Sequence, residues 1–180
     1  MAQLSDLTPG VWNVDPAHST IGFTARHLMV TKVRGRFQGF TGSITVADNP
    51  HNSSVTASVE MGTVSTGDDG RDGHIKSADF FDVEKFPTMT FVSTGIAQDG
   101  GDYELTGDLT IKDVTKTVAF ALEFEGVATD PWGNTKAGFT AETDISRKDW
   151  GLEWNMALEA GGVVVSDKIK ITLDIQAVKA

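Results

Sequence analysis

A chain of 180 residues with 39% hydrophobic and 22% charged side chains has the size and composition of one soluble globular domain, able to bury roughly 70% of its unfolded surface. The formal net charge of −10 argues against a nucleic-acid partner, and against adsorption to an anionic membrane surface as the main mode of action. With no cysteine, disulfides, thiolate catalysis and thiolate metal sites are excluded.

Residues 1–10 read as a loose N-terminal arm ahead of a single domain over residues 11–179. The arm has neither a basic n-region nor an apolar h-region, so the expected location is cytoplasmic. No apolar run is long enough to cross a bilayer, so stable membrane insertion is not expected. Val11 begins a strand that breaks at Pro16. Ser19 to His27 resumes it with Ile21, Phe23 and Ala25 on one face. Val33 to Gln38 follows, and Lys32, Arg34 and Arg36 fall at alternate positions, as on one face of a strand. After Ser43 to Ala47 and the turn Asp48-Asn49-Pro50-His51-Asn52, the positions Val55, Ala57, Val59 and Met61 alternate with polar residues at a period of two.

The stretch from Gly70 to Phe91 departs from this alternation. Asp69 suits a helix N-cap and Asp72 a first helical turn, which predicts a short helix from Arg71 to Ala78, ending near Phe80. Past Phe86-Pro87 the alternation returns through Met89 and Phe91. Gln98-Asp99-Gly100-Gly101-Asp102 and Lys112-Asp113-Val114-Thr115 are turn signals, and Asp130-Pro131-Trp132-Gly133-Asn134 is a loop. Between them Leu105, Leu109 and Ile111, then Val118, Phe120, Leu122 and Phe124, then Phe139, Ala141, Thr143 and Ile145, define inward faces. Residues 147–167 are less regular and contain Trp150, Trp154 and Gly161-Gly162. The last strand, Ile169 to Ala177, alternates most clearly of all.

The fold class is therefore all-β: an antiparallel β-barrel of about eight strands with one short inserted helix, the up-and-down order favouring a barrel over a sandwich. The inward residues fill a core or line a tunnel, and close packing is the default for an interior. His18, His27 and His74 suit head-group contact or metal binding by residue type. They sit on separate elements without metal-ligand spacing, so structural hydrogen bonding is the plainer reading. Arg71 and Asp72 read equally as a grip on a polar head group or as an ion pair pinning the helix. Asp68, Asp69 and Asp72 lack the alternation of a calcium loop. No catalytic constellation is visible: Ser19 has no nucleophile-elbow context, and Glu123 and Glu125 share a solvated strand face.

Several motifs spaced along the chain carry a family resemblance. Asp15-Pro16-Ala17-His18-Ser19, His27-Leu28-Met29-Val30, Gly35-Arg36-Phe37 and Phe40-Thr41-Gly42 are followed by Arg71-Asp72, His74, Asp79-Phe80-Phe81-Asp82 and Phe86-Pro87. Gly107-Asp108-Leu109-Thr110-Ile111-Lys112, Val114-Thr115-Lys116 and Arg147-Lys148-Asp149-Trp150-Gly151 come later. Together they resemble the YceI-like family of polyisoprenoid-binding proteins from about Val11 to Val178. Asp113 stands where that family usually has Gly, and Trp150 where it usually has Phe, a change expected to reshape one end of the cavity.

The resemblance implies a lipocalin-like barrel whose interior holds a long polyisoprenoid or isoprenoid-quinone-type lipid, for carriage, storage or sequestration, with no cofactor and no catalytic residues. On that basis Phe23, Phe37, Phe91, Leu109, Phe120, Leu122, Phe124, Phe139, Ile171 and Leu173 are the expected apolar lining. His27, Arg71, Asp72, His74, Phe80 and Phe81 are the expected head-group or lid residues. Two other readings stand beside it. One is an enzyme acting on such a lipid through His27, His74 or Arg71, and the other is a solid-core stress-response module. A homodimer through an open strand edge is compatible with each.

Overall fold

The computed structural model describes residues 2–156 and 164–180. Its strands are β1 (Gly10–Val14), β2 (Thr20–His27), β3 (Thr31–Phe37), β4 (Phe40–Val46), β5 (Ser54–Glu60), β6 (Val64–Ser65), β7 (Thr88–Asp99), β8 (Asp102–Ile111), β9 (Val114–Thr129), β10 (Thr135–Ser146) and β11 (Lys168–Lys179). One helix, α1 (Asp69–Lys76), lies between β6 and β7.

These strands form an eight-stranded closed antiparallel barrel because three pairs are single staves bent at a corner. β1 and β4 pair at one end of the barrel while β2 and β3 pair at the other; β4–β5 and β3–β6 repeat the pattern. Each corner has a local cause. Between β1 and β2, Pro16 has no N–H for a ladder, and the Asp15 carboxylate accepts from the Ala17 N–H at 3.0 Å. Between β3 and β4, the Gly39 N–H donates to Thr63 Oγ1 at 2.9 Å, tying this corner to the one between β5 and β6.

Closure is made by β11, which pairs with β10 on one side and on the other with β2 (Lys170↔Thr24 to Asp174↔Thr20) and then β1 (Val14↔Ala177, Trp12↔Lys179). Every described strand except the two-residue β6 is paired on both sides along part of its length, so a dimer through a whole open strand edge finds no such edge among them.

The period of two survives into burial. Tyr103, Leu105, Leu109 and Ile111 on β8 are buried, as are Val118, Phe120, Leu122 and Phe124 on β9, with polar neighbours outside. Two glycines act by close approach. Gly35 faces Phe23 across β2–β3, and Gly107 lies beneath the Phe91 ring; a Cβ at either would overlap that ring. The turn at Lys112-Asp113 takes positive φ at both residues, 52° and 60°, and Asp is among the few side chains that tolerate this.

Two expectations are corrected. The N-terminal arm is not loose. Leu4 and Leu7 lie on one side of the turn Leu4–Asp6, are 4% and 8% exposed, and close one barrel end, with the Leu4 N–H donating to the Tyr103 hydroxyl at 3.2 Å. The polar residues between these two leucines hide the signal in the sequence. The helix runs Asp69–Lys76, two residues earlier than predicted, because Asp68 rather than Asp69 is the cap, accepting from the Arg71 N–H at 2.9 Å. Ser77 to Phe86 continues as turns. Gly161-Gly162 lies outside the described residues.

Trp12 anchors the closing strand: it is 1% exposed and its indole N–H donates to the Thr8 carbonyl at 3.0 Å. Trp12→Ala is expected to cost about 3–5 kcal/mol in urea denaturation. Trp132→Ala, at a site 83% exposed, should shift stability by less than about 0.5 kcal/mol.

Candidate ligand-binding site

The barrel interior is not a filled core. An upper cavity of about 160 Å³ and a lower one of about 440 Å³ share Ile21, Met89 and Ile171 along their walls. Both far exceed the ~10–15 Å³ that one water requires, so they are built spaces rather than packing defects. Small residues account for the room: Gly42, Ala57 and Ala141 occupy wall positions of the upper cavity where larger side chains would fill it. A solid-core module calls for a barrel without a cavity, and these two spaces count against it.

The two cavities differ in chemistry. The upper one is walled almost wholly by aliphatic and aromatic groups, and Phe91, Leu109, Phe120, Leu122, Phe139, Ile171 and Leu173 all line it. Phe23 and Phe37 line the lower cavity instead, with ring centroids 5.6 Å apart. Phe124 lines neither. It is 7% exposed and packs on Phe139 at 5.3 Å, so its inward position makes it core rather than wall.

The lower cavity is bounded by α1 and the turns after it, and carries the polar groups. His27, Arg71, His74, Phe80 and Phe81 line it, together with Arg26 and Arg147, and no carboxylate is among the described lining residues. Phe81 stacks toward Phe37 at 6.1 Å, extending the lid's aromatic surface onto β3. His74 Nε2 lies 2.8 Å from the Asp79 carboxylate, and its ring meets Trp154 edge-on at 4.5 Å and Phe80 at 5.1 Å.

Asp72 is brought elsewhere. It is 7% exposed and accepts from the backbone N–H of Thr66 at 2.8 Å and from the Thr66 hydroxyl at 2.5 Å. Arg71 donates from Nε to Thr66 Oγ1 at 2.8 Å and from a terminal nitrogen to the Thr66 carbonyl at 2.9 Å. The two residues therefore form no ion pair with each other. They saturate Thr66 together and clamp the start of α1 to the end of β6. Asp72 is a structural clasp that does not line the cavity, which corrects its expected head-group role: it is buried, and its Oδ1 is taken by the Thr66 N–H and hydroxyl. His18 is also remote, its Nδ1 2.7 Å from Asp15 at the β1–β2 corner. Among the described residues no group of three metal-ligating side chains converges.

Trp150, expected to reshape the cavity, instead lies 2% exposed in the wall and donates its indole N–H to the Leu109 carbonyl at 3.0 Å. Arg147 and Trp154 are the residues that sequence reasoning missed. Arg147 is 3% exposed and donates to three backbone carbonyls: Leu152 at 2.6 Å, Ser166 at 2.9 Å and Val165 at 3.3 Å. Its guanidinium carbon sits 5.8 Å from the Phe80 ring centroid. Burial pushes its pKa down and the charge of Asp167 pushes it back up, so it stays charged at neutral pH. Only the spacing of the Arg147–Gly151 motif hinted at it; the partners are carbonyls that no side-chain pattern reveals.

The geometry defines the class: a lidded up-and-down β-barrel with an apolar interior whose lower chamber also carries basic groups. The family follows from comparison. The YceI-like domain matches residues 12–177, and the chain belongs to the YceI-like family. A UPF0312 protein of Staphylococcus aureus is 35% identical over 158 residues, 87% of this chain and 90% of that protein. Protein YceI of Escherichia coli is 37% identical over 140 residues, covering 77% of this chain and 73% of that one. Among solved structures, the Campylobacter jejuni YceI protein matches with a TM-score of 0.72 at 27% identity, covering 86% of this chain and 90% of that one. At 15% identity, a polyisoprenoid binding domain from Saccharophagus degradans shares the fold with a TM-score of 0.73, over 96% of this chain and 100% of that one.

Beside Arg147, Asp167 is held below its ordinary value of 3.8, chiefly by the Ser146 hydroxyl donating at 2.7 Å, with smaller help from the Lys148 N–H and from the charges of Lys148 and Arg147. A carboxylate lowered by folding stabilises above its unfolded pKa and stops doing so as pH falls through the folded value. The stability gap between wild type and Asp167→Asn, measured by urea denaturation, should be full at neutral pH and close once the pH drops below that depressed value.

Proposed function

We propose that this protein binds a long-chain polyisoprenoid or isoprenoid-quinone-type lipid, its chain running through the upper cavity and along the apolar walls of the lower one and its head group at the polar groups of the lower one, for carriage, storage or sequestration. One observation carries the reading: two adjoining, mainly apolar cavities lie inside one barrel, and the lower one also carries Arg71, His74, His27 and Arg147, with no carboxylate among its described lining residues. In a chain of net charge −10 that lining is selective, and it favours an anionic or hydrogen-bond-accepting head. An apolar chain gains about 0.8 kcal/mol per buried CH₂ without any polar contact. The fold neighbour from Saccharophagus degradans, described as polyisoprenoid-binding, supports the same ligand class.

Two of the three polar groups that a catalytic reading would use, His74 and Arg71, already have structural partners, as does Arg147. His74 is held by Asp79, Arg71 by Thr66, and Arg147 by three carbonyls. That favours a cradle for a head group over a reacting centre. Phe80 and Phe81 then form the lid's inner surface, and Phe80 is packed between His74, Trp154 and Arg147.

Organic extraction of the purified protein followed by mass spectrometry, and uptake of added polyprenyl lipids, test the reading. A chain-length series should show tight uptake of long chains, and Ala141→Trp, which fills the upper cavity, should lower it by about tenfold or more. Phe80→Ala and Phe81→Ala should speed lipid release. A polyprenyl phosphate should bind about 5–100-fold tighter than the matching neutral alcohol, with Arg71→Ala reducing that preference. An interior repeatedly empty, with no uptake of any polyprenyl lipid, overturns the proposal.

A further inference from the structure

The hairpin joining β2 to β3 breaks two rules at once. Its turn residues, Leu28 and Met29, hold positive φ values of 55° and 62°, a conformation that favours Asn and Gly and burdens bulky side chains. The same two residues and Val30 are exposed, at 40%, 49% and 73%. Among the described residues nothing in the packing requires either departure, since the turn's own closure is a backbone bond from the Val30 N–H to the His27 carbonyl at 3.1 Å. Met156, 60% exposed, extends the apolar tip: its carbonyl accepts from the Val164 N–H, and the Val164 carbonyl accepts from the Leu28 N–H.

Behind the tip the charge reverses. Arg26 and Lys32 face each other across the hairpin, followed on the same outer face by Arg34 and Arg36, all exposed, and none is in an ion pair with another described residue. The chain as a whole is strongly acidic, so four cations without an ion-pair partner among the described residues, beside an apolar tip, are a local segregation that the net charge conceals. The tip also borders the lower cavity, whose wall includes Arg26, His27, Val33, Val164 and Val165.

We propose that the β2–β3 hairpin is a docking tip for an anionic lipid bilayer surface. Leu28, Met29 and Val30 enter the interfacial layer, and the cations behind them meet lipid phosphates. Two residues of strand advance about 7 Å and four about 13 Å, against a Debye length of about 8–10 Å, so Arg26 and Lys32 carry most of the attraction and Arg36 least. Docking there sets the mouth of the lower cavity against the bilayer. The contact is peripheral, and it is independent of which molecule occupies the interior.

Flotation of the full chain with vesicles of phosphatidylglycerol and phosphatidylcholine, compared with vesicles of phosphatidylcholine alone, tests it. Wild type should bind the anionic vesicles only, and added salt should release it. Arg26→Gln with Lys32→Gln should weaken binding about 25-fold, about fivefold per charge. Leu28→Asn with Met29→Gly installs the turn residues that this geometry favours. That variant should melt at the same temperature or higher, yet bind the vesicles about tenfold more weakly or worse. Absence of binding to anionic vesicles overturns the proposal, as does equal binding by both variants. Self-association of wild type that the Asn-Gly variant abolishes, without vesicle binding, would reassign the tip to a second copy of the chain. Uptake of detergent-dispersed polyprenyl lipid, measured separately, keeps failure here distinct from failure of the lipid-binding reading.

Discussion

The pairing of β11 with β1 and β2 is the constraint on which the rest depends. Staves with one apolar and one polar face have nowhere to hide the apolar one unless the sheet closes on itself. Closure at eight staves then sets an interior just wide enough for side chains to fill or for a small ligand to occupy. Residue size decides between the two. Phe91, Phe120 and Phe139 project inward, but Gly42, Ala57 and Ala141 share the same wall, and the volume they leave is the upper cavity.

The bent staves give the barrel its second chamber. Because β6 stops after two residues and β7 starts only at Thr88, the wall between them is completed by α1 and the turns that follow. A helix of eight residues with glycines at 70 and 73 has little stability of its own. Its start is held by Arg71 and Asp72 on Thr66, and the aromatic groups of the lid meet Trp154 and Phe37. The lid is therefore an element kept in place by tertiary contacts. Retention of anything in the lower cavity is coupled to those contacts rather than to helix propensity.

Charge is distributed against the average. Carboxylates crowd the outer face, where Glu142 and Asp144 pair with Lys170 and Lys168, while the arginines, with His27 and His74, gather around the lower chamber and along β2–β3. Arg147 is the extreme case. Its charge is buried with carbonyl dipoles as direct partners and Asp167 as the nearby counter-charge, an arrangement that leaves positive potential facing the cavity. An acidic protein with a cationic chamber repels anions at long range and welcomes them at short range, which makes apolar contact the natural first step of recognition.

The sequence by itself determined the antiparallel barrel, the turns and most of the inward residues, because alternation at a period of two translates directly into wall and surface. It also marked Gly70 to Phe91 as the segment that breaks the pattern, and Phe80, Phe81 and His74 do line the chamber beneath it. Tertiary structure alone decided that the interior is open, that Leu4 and Leu7 plug one end, that Phe124 is core, and that Asp72 serves Thr66 rather than the cavity. Those outcomes depend on summed side-chain volumes across a closed ring and on backbone partners far apart in the chain. A periodic pattern records which face a residue takes, but not what stands opposite it.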